Sequence, residues 1–173
     1  LNAAQDRLNG APQGVHAHPR LVAAILENGS WSDDRTIQVF WGGLLAASCS
    51  EDGSDDGNII FAKLLGQLTS LQAHVLAHAC PTCKKSLSNL GLITPDGSLA
   101  IEMNELMSIS QSSDVHRLDR ELDNLRDLGL IHGGIHLGSS EIDITPTSLA
   151  LNLYARCHGH KGPPGDFFGV KPA

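Results

Sequence analysis

Apolar residues recur at helical spacing along the first 68 residues and predict a helical subdomain over residues 19–68. Pro19 suits the first turn of one helix, and Asn28-Gly29 ends it. The pattern Ser30-x-x-Asp33 is a capping box, which predicts the start of the next helix. That helix carries the strongest apolar stripe, which we expect to anchor a core shared with the second half of the chain: Ile37, Phe40, Trp41, Leu44, Leu45 and Ser48. A third, shorter helix follows over Ile59, Ile60, Leu64, Leu65 and Leu68, and residues 1–18 should be loosely ordered.

The second half changes rhythm and predicts a winged helix-turn-helix over residues 69–160. Thr69 or Ser70 caps a helix running from about Leu71 to Ala79. A short strand, Leu99–Met103, and a short helix, Glu105–Ile109, are predicted next, and a long helix follows with one apolar stripe ended by Gly129: Val115, Leu118, Leu122, Leu125 and Leu128. Two short strands, Leu130–Leu137 and Glu141–Ile144, are then joined through Gly138-Ser139-Ser140 as a hairpin, and Thr145-Pro146 opens the closing helix. Residues 161–173 are predicted to be a tail. The expected fold is therefore mainly α, with an N-terminal helical bundle packed on a C-terminal winged helix-turn-helix.

These segments also resemble a known family. The relevant pieces lie in order within Pro19–Leu76 and Leu118–Ala155: Ile25-Leu26-Glu27-Asn28, Asp33-Asp34, Trp41-Gly42-Gly43-Leu44-Leu45-Ala46, Leu68-Thr69-Ser70-Leu71, the stretch from Leu122 to Ile131, and Ile144-Thr145-Pro146. Their order and spacing resemble the Abi-alpha (abortive infection) family of bacterial and phage-associated proteins. The resemblance implies a helical bundle joined to a winged helix and a role in phage resistance, and it brings no catalytic residues with it.

Composition narrows the class of protein. The chain has a net charge of −7 and a pI near 5.6, which is the wrong sign for a general phosphate binder. Aromatic residues make up 4% of the chain, too few for a platform on which single-stranded nucleic acid stacks. The sequence contains no apolar run long enough to span a membrane and no signal peptide, so we expect a cytoplasmic protein. Because the chain begins with Leu1, we expect it to be a trimmed segment.

Two pairs of residues with matched spacing predict a structural zinc site. Cys80-Pro81-Thr82-Cys83 has the form of a zinc knuckle, and Cys157 and His160 repeat the same separation. Ends of the first and last helices of a winged helix lie close together, which would bring these four ligands to one ion. His158 is an alternative to His160, and the competing interpretations are unliganded buried thiols or a disulfide. His74 and His78, four apart on a helix, are better explained as an ordinary helical pair than as metal ligands.

No motif indicates catalysis or calcium binding. The chain lacks a nucleophile elbow, a P-loop and a dinucleotide-binding glycine pattern. The acidic loop Glu51–Gly57 begins like an EF-hand, but Lys63 stands where the bidentate glutamate is needed. We therefore expect a protein without enzymatic activity.

The helix that would enter a DNA groove is acidic. It carries the acids Asp114, Asp119, Glu121, Asp123 and Asp127 against Arg117, Arg120 and Arg126. The predicted wing adds His132 and His136 but no Lys or Arg. We therefore expect a phage-defence or regulatory protein that uses its winged helix to bind a protein partner or itself. The alternative is a sequence-specific DNA-binding regulator.

Overall fold

The computed structural model describes residues 16–29, 33–51, 53–136, 138 and 140–171. The described part is mainly helical, with eight helices and six short strands. In chain order these are β1 (His16–Ala17), α1 (Pro19–Gly29), α2 (Arg35–Ala47), β2 (Cys49–Ser50), α3 (Ile59–Leu65), α4 (Ser70–Thr82), β3 (Lys85–Leu87), β4 (Ile93–Pro95), β5 (Ala100–Glu102), α5 (Met103–Ser110), α6 (Val115–Asp127), β6 (Glu141–Asp143), α7 (Ser148–Cys157) and α8 (Pro164–Phe168).

The chain divides into two compact units. The first holds the residues up to Leu68 together with Leu153–Gly162, and the second holds Thr69–Asn152 together with the residues from Pro163 onward. The strands form three small antiparallel sheets, β1–β2 in the first unit and β3–β4 and β5–β6 in the second. No helix in the described ranges is both long and apolar enough to cross a bilayer.

Helix α2 is the centre of the first unit, and its predicted apolar stripe is confirmed. Ile37, Phe40, Trp41, Leu44 and Ser48 are buried, and Leu45 is half-buried. The N-cap is Asp34, whose Oδ1 accepts a hydrogen bond of 3.0 Å from the backbone N–H of Ile37. The helix therefore begins later than the capping box Ser30-x-x-Asp33 predicted, since Asp33 precedes the cap; Ser30 itself lies outside the described residues. The Asp34 carboxylate also suits the positive end of the α2 dipole.

Gly43 allows α2 to lie directly against the end of α7. A Cβ atom built on Gly43 would be 1.8 Å from the carbonyl oxygen of Cys157, a separation no real side chain has. Next to this contact, the ring of Phe40 meets Tyr154 edge-on with centroids 5.9 Å apart. At this crossing α2 and the end of α7 therefore meet through backbone atoms, and the two rings pack beside that contact.

The second unit begins with a capping box that also holds a neighbouring helix. Thr69 caps α4 as predicted: its Oγ1 accepts from the N–H of Gln72, and Oε1 of Gln72 accepts from the N–H of Thr69. The Nε2 of Gln72 donates to the backbone oxygen of Glu121 at 3.0 Å and to Oδ1 of Asn124 at 2.8 Å. The buried Gln72 therefore fixes α6 against the start of α4.

Helix α6 buries one side and exposes the other. Leu118, Leu122 and Leu125 are fully buried, as the stripe predicted, and Gly129 ends this segment with a φ of +70°. Val115, which was predicted on the same apolar face, is 43% exposed. Since Val115 is the first residue of the helix, its side chain lies beyond the end of the core.

The predicted pairing of the two segments after α6 is found in part. Residues 130–134 run antiparallel to residues 143–147, with an isolated bridge from Ile131 to Pro146 and three backbone hydrogen bonds: His132 N–H to Thr145 O at 2.9 Å, Thr147 N–H to Leu130 O at 3.0 Å and Asp143 N–H to Gly134 O at 3.3 Å. The regular strand partner of β6, which was not predicted, is β5, with Ile101 opposite Ile142. Burial of Ile101 and Ile142 explains this second pairing, because it removes two branched side chains from water.

Three other features were not predicted. The sheet β1–β2 pairs His16–Ala17, at the end of the segment predicted to be loosely ordered, with Cys49–Ser50. The hairpin β3–β4 lies between α4 and β5, and the predicted tail contains α8. Pro164 begins α8, and Gly165 lies against the side chain of Leu87 in β3, where an added Cβ would be 3.0 Å from Leu87 Cδ2. A single helical turn carries too little periodicity to be found from sequence.

We expect Gly43→Ala to lower the free energy of unfolding by about 1–3 kcal/mol or more, because the new methyl group overlaps the backbone of Cys157 rather than a movable side chain. Gly66→Ala is the matched control, since Gly66 has an ordinary helical φ of −66° and its added Cβ has no neighbour nearer than 3.3 Å. Urea unfolding measures both variants. Equal stability of Gly43→Ala and the unaltered chain would contradict the close contact of α2 with α7.

Candidate interaction surface

The outer side of α6 is the most highly charged helical surface of the second unit. Its N-cap is Asp114, whose Oδ1 accepts from the N–H of Arg117 at 3.1 Å. The exposed residues of the helix are mostly charged or polar: Val115, His116, Arg117, Asp119, Arg120, Asn124, Arg126 and Asp127. The charged residues of α6, which decide whether this surface suits DNA or a protein, are therefore exposed to solvent.

Two of the three arginines on α6 are engaged by acids of the same helix. Arg117 Nε lies 3.5 Å from Glu121 Oε1, and Arg126 Nη2 lies 2.7 Å from Asp123 Oδ1. Only Arg120 makes no ion pair with another described residue of this surface. The Arg126–Asp123 pair is exposed and adds little stability, whereas the partner of Arg117 is the buried Glu121; both pairs engage cations that a phosphate backbone would need.

The partners of Glu121 explain why Arg117 is held in place. The Glu121 side chain is buried, and its Oε2 accepts a hydrogen bond of 2.8 Å from Thr69 Oγ1. A buried carboxylate needs such donors to offset the loss of its water. Thr69 and Arg117 supply these donors. The exposed Arg117 is therefore held by a carboxylate that also packs α6 on α4.

The segment after α6 adds no positive charge. No Lys or Arg occurs between Asp127 and Ala155 in the sequence. His132 and His136 are exposed, and the Asp143 carboxylate accepts hydrogen bonds from the backbone N–H and the hydroxyl of Thr145. The predicted wing therefore contains neither Lys nor Arg.

The second unit also exposes large apolar side chains at the turn of the β3–β4 hairpin. Leu90 is 84% and Leu92 is 62% exposed, and Gly91 between them has a φ of +74°. Isolated exposed leucines are ordinary on protein surfaces, whereas two on one turn form a small apolar projection. This projection contributes the apolar area that protein contacts use.

The first pair of predicted zinc ligands lies at the end of α4. The helix continues through Cys80 to Thr82, so the pair occupies a last helical turn rather than a knuckle. The two sulfurs are near carbonyl oxygens: Cys80 Sγ is 3.7 Å from Ala150 O, and Cys83 Sγ is 3.7 Å from Cys80 O. Burial raises the pKa of the Cys83 thiol, and the charge of Lys85 partly offsets this rise.

The second predicted pair lies at the end of α7. Cys157 is fully buried, and burial raises the pKa of its thiol, which keeps it protonated. The N–H of His160 donates to Ala155 O at 3.1 Å, and the alternative ligand His158 stacks near Tyr154 with ring centroids 4.1 Å apart. Across the described ranges, no three His, Cys, Asp or Glu side chains are grouped so that they could hold one metal ion.

The remaining residues considered for metal binding have other contacts. His78 Nε2 lies 3.7 Å from Glu105 Oε1. In the acidic loop, Asp56 pairs with Arg20 at 3.7 Å and Asp55 Oδ1 accepts from the N–H of Gly57. Asp52 lies outside the described residues.

The first unit contains a polar cavity that sequence analysis missed. Its volume is about 300 Å³. Its walls come from the end of α2, β2, the loop before α3, α3 itself and the segment that ends α7, with Arg156 and Lys161 among the lining residues. The sequence shows two cations five residues apart, Arg156 and Lys161, on either side of Gly159. No local pattern predicts that these two cations lie beside β2.

Comparison with known proteins identifies the family of the chain. The family model for abortive infection alpha matches residues 2–147, whereas no curated protein and no solved structure matches the chain. The match includes helix α6 and ends just before α7, so the end of α7 and the residues that follow it lie outside the matched range. The chain belongs to the Abi-alpha (abortive infection alpha) family.

Proposed function

We propose that the chain is a phage-defence protein that acts without catalysis, by binding a protein partner or a second copy of itself. Membership of the abortive infection alpha family supports the defence context. The proposed partner-binding surface is the outer side of α6 together with the exposed turn of the β3–β4 hairpin.

We also propose that the second unit is a winged helix-turn-helix. The order α4, β5, α5, α6, β6 and α7, with β6 returning to pair with β5, supports this assignment. Helix α6 takes the place of the recognition helix in such a module. The extra hairpin β3–β4 is inserted between α4 and β5 and gives the module an apolar projection that a minimal winged helix does not need.

The ion pairs of Arg117 and Arg126 on α6 are the observation that favours a protein partner over DNA. A helix that binds DNA turns its cations toward phosphates or base edges, and each cation replaces a condensed counterion. Here Arg117 and Arg126 already face acids of their own helix, and Asp119 and Asp127 are exposed beside them. Such a surface repels a phosphate backbone and suits a partner with basic groups.

The burial of two thiols argues against Cys83 and Cys157 as nucleophiles. Cysteine attacks as its thiolate, which requires a lowered pKa. Burial has the opposite effect on Cys83 and Cys157, whose pKa values are raised.

We expect the double variant Asp119→Lys with Asp127→Lys to lose protection against phage. Reversing two exposed charges should weaken binding of a basic partner by about tenfold or more. The measurement is the plating efficiency of phage on bacteria that express the chain, with melting temperature checked for each variant. The control is Asp96→Lys, which reverses an exposed charge after β4 and should protect like the unaltered chain. Full protection by the double variant would contradict a role for α6.

The same proteins test the DNA-binding alternative. Fluorescence anisotropy with random duplex DNA at near-physiological salt should show no sub-micromolar binding by the unaltered chain. Tight binding that falls steeply with salt, and that strengthens in the double variant, would instead favour a DNA-binding regulator.

A structural zinc ion remains a separate proposal. Its support is the matched spacing of Cys80 with Cys83 and of Cys157 with His160. Metal binding would displace the thiol protons and would add to the free energy of folding.

Elemental analysis tests the zinc proposal on protein purified without added metal. We expect about one zinc per chain, and we expect Cys83→Ser to lose it while Cys49→Ser keeps it. Chelation should lower the melting temperature of the unaltered chain. A zinc content below about a tenth of an ion per chain would contradict the proposal and favour unliganded thiols.

A further inference from the structure

The polar cavity of the first unit has the composition of a small ligand site. Its volume of about 300 Å³ is at the lower end for sites that enclose a small molecule. Besides small residues, it is lined by three polar side chains, one ring and three charged groups: Ser48, Ser50, Asn58, Phe61, Asp55, Arg156 and Lys161. All of these lie within the first unit.

The end of α7 brings the two cations to this cavity. Gly159 adopts a left-handed φ of +84°, and the N–H of His160 returns to the oxygen of Ala155 at 3.1 Å. This is the geometry of a glycine-terminated helix, which reverses the chain direction within a few residues. Arg156 in the last helical turn and Lys161 just beyond the reversal therefore line the same space.

Backbone contacts hold both cations while leaving most of their donors free. Arg156 Nη1 donates to His160 O at 2.8 Å, and Lys161 Nζ donates to Cys49 O at 2.5 Å. A guanidinium has five N–H groups and an ammonium has three, so each retains hydrogens for a further acceptor. Neither cation forms an ion pair with an acid in the part of the chain that the structure describes.

The charge balance of the cavity differs from that of the chain. The chain carries −7, whereas the cavity is lined by two cations and one carboxylate, Asp55. The Asn58 side chain, held by an Nδ2 hydrogen bond of 3.0 Å to Ser48 Oγ, adds a buried amide with a second N–H. Convergent cationic and amide donors at the wall of a small cavity are the arrangement that recognises an oxyanion.

We propose that this cavity binds a small molecule through its phosphate or carboxylate group, with Arg156 and Lys161 as the anion-binding residues. Asp55 also lines this space and has a second carboxylate oxygen, besides the one that Gly57 N–H engages, to accept a hydrogen bond from a hydroxyl or amine of the ligand, while Phe61 offers an apolar wall. The volume suits a single metabolite rather than a peptide or a nucleic acid strand. The two anion-binding cations lie outside the residues that the family model matches, and the cavity lies in the first unit, so the proposal does not rest on the function proposed for α6.

Calorimetric titration of the chain tests this assignment. The probes are inorganic phosphate and ribose 5-phosphate for the phosphate source, and malate for the carboxylate source, each at constant ionic strength. We expect saturable binding of at least one probe, and tighter binding of ribose 5-phosphate than of inorganic phosphate if Asp55 and Phe61 take part. Asp55→Asn should remove that difference and leave the binding of inorganic phosphate intact.

Matched variants locate the binding. Arg156→Gln and Lys161→Gln should each weaken the bound probe by about tenfold, because each removes a charge-assisted hydrogen bond. Lys161→Arg should restore most of the affinity, and Lys84→Gln, which removes an exposed charge of the second unit, should leave affinity unchanged. Absence of binding by the unaltered chain to all three probes would overturn the proposal. Equal binding by the unaltered chain and both glutamine variants would do the same.

Discussion

The contact between Gly43 and the carbonyl of Cys157 is the constraint on which the first unit depends. At this crossing the unit brings two backbones together, and only a residue without a Cβ permits this approach. The residue at this contact, Cys157, is fully buried, and burial raises the pKa of its thiol. The contact also fixes the end of α7, so the chain reversal at Gly159 delivers Arg156 and Lys161 to the wall of one cavity.

The second unit depends on a different interaction, the hydrogen bonds of Gln72. Gln72 completes the cap of α4 and donates two hydrogen bonds to α6, so a local signal for helix initiation also sets a long-range contact. The buried Glu121 takes part through Thr69 and Arg117. The acidic surface of α6 is thus coupled to the core beneath it, because the carboxylate that stabilises the packing also engages one of the exposed cations.

Strand pairing shows where periodicity fails as a guide. Both strands after α6 were expected to pair with each other because they are neighbours in sequence and are joined by a glycine-serine turn. They meet in part, through an isolated bridge and a few backbone hydrogen bonds, whereas the regular strand partner of β6 is β5, some 40 residues earlier in the chain, because Ile101 and Ile142 are buried together there. The residues between α6 and β6 are rich in glycine, and Gly133 lies so close to Asp143 that an added Cβ would be 2.4 Å from Asp143 Cβ.

The sequence by itself determined the family, the negative charge, the helical character and the caps at Thr69 and Gly129. These properties depend on composition, on ordered motifs and on spacing within one helical turn. Tertiary structure alone decided the partner of β6, the helical setting of Cys80, the ion pairs that occupy the α6 arginines and the cavity beside β2. Each of these requires residues far apart in sequence to meet, or a choice among several possible side-chain partners. Such outcomes are selected by burial and close packing over the whole unit, which no local pattern contains.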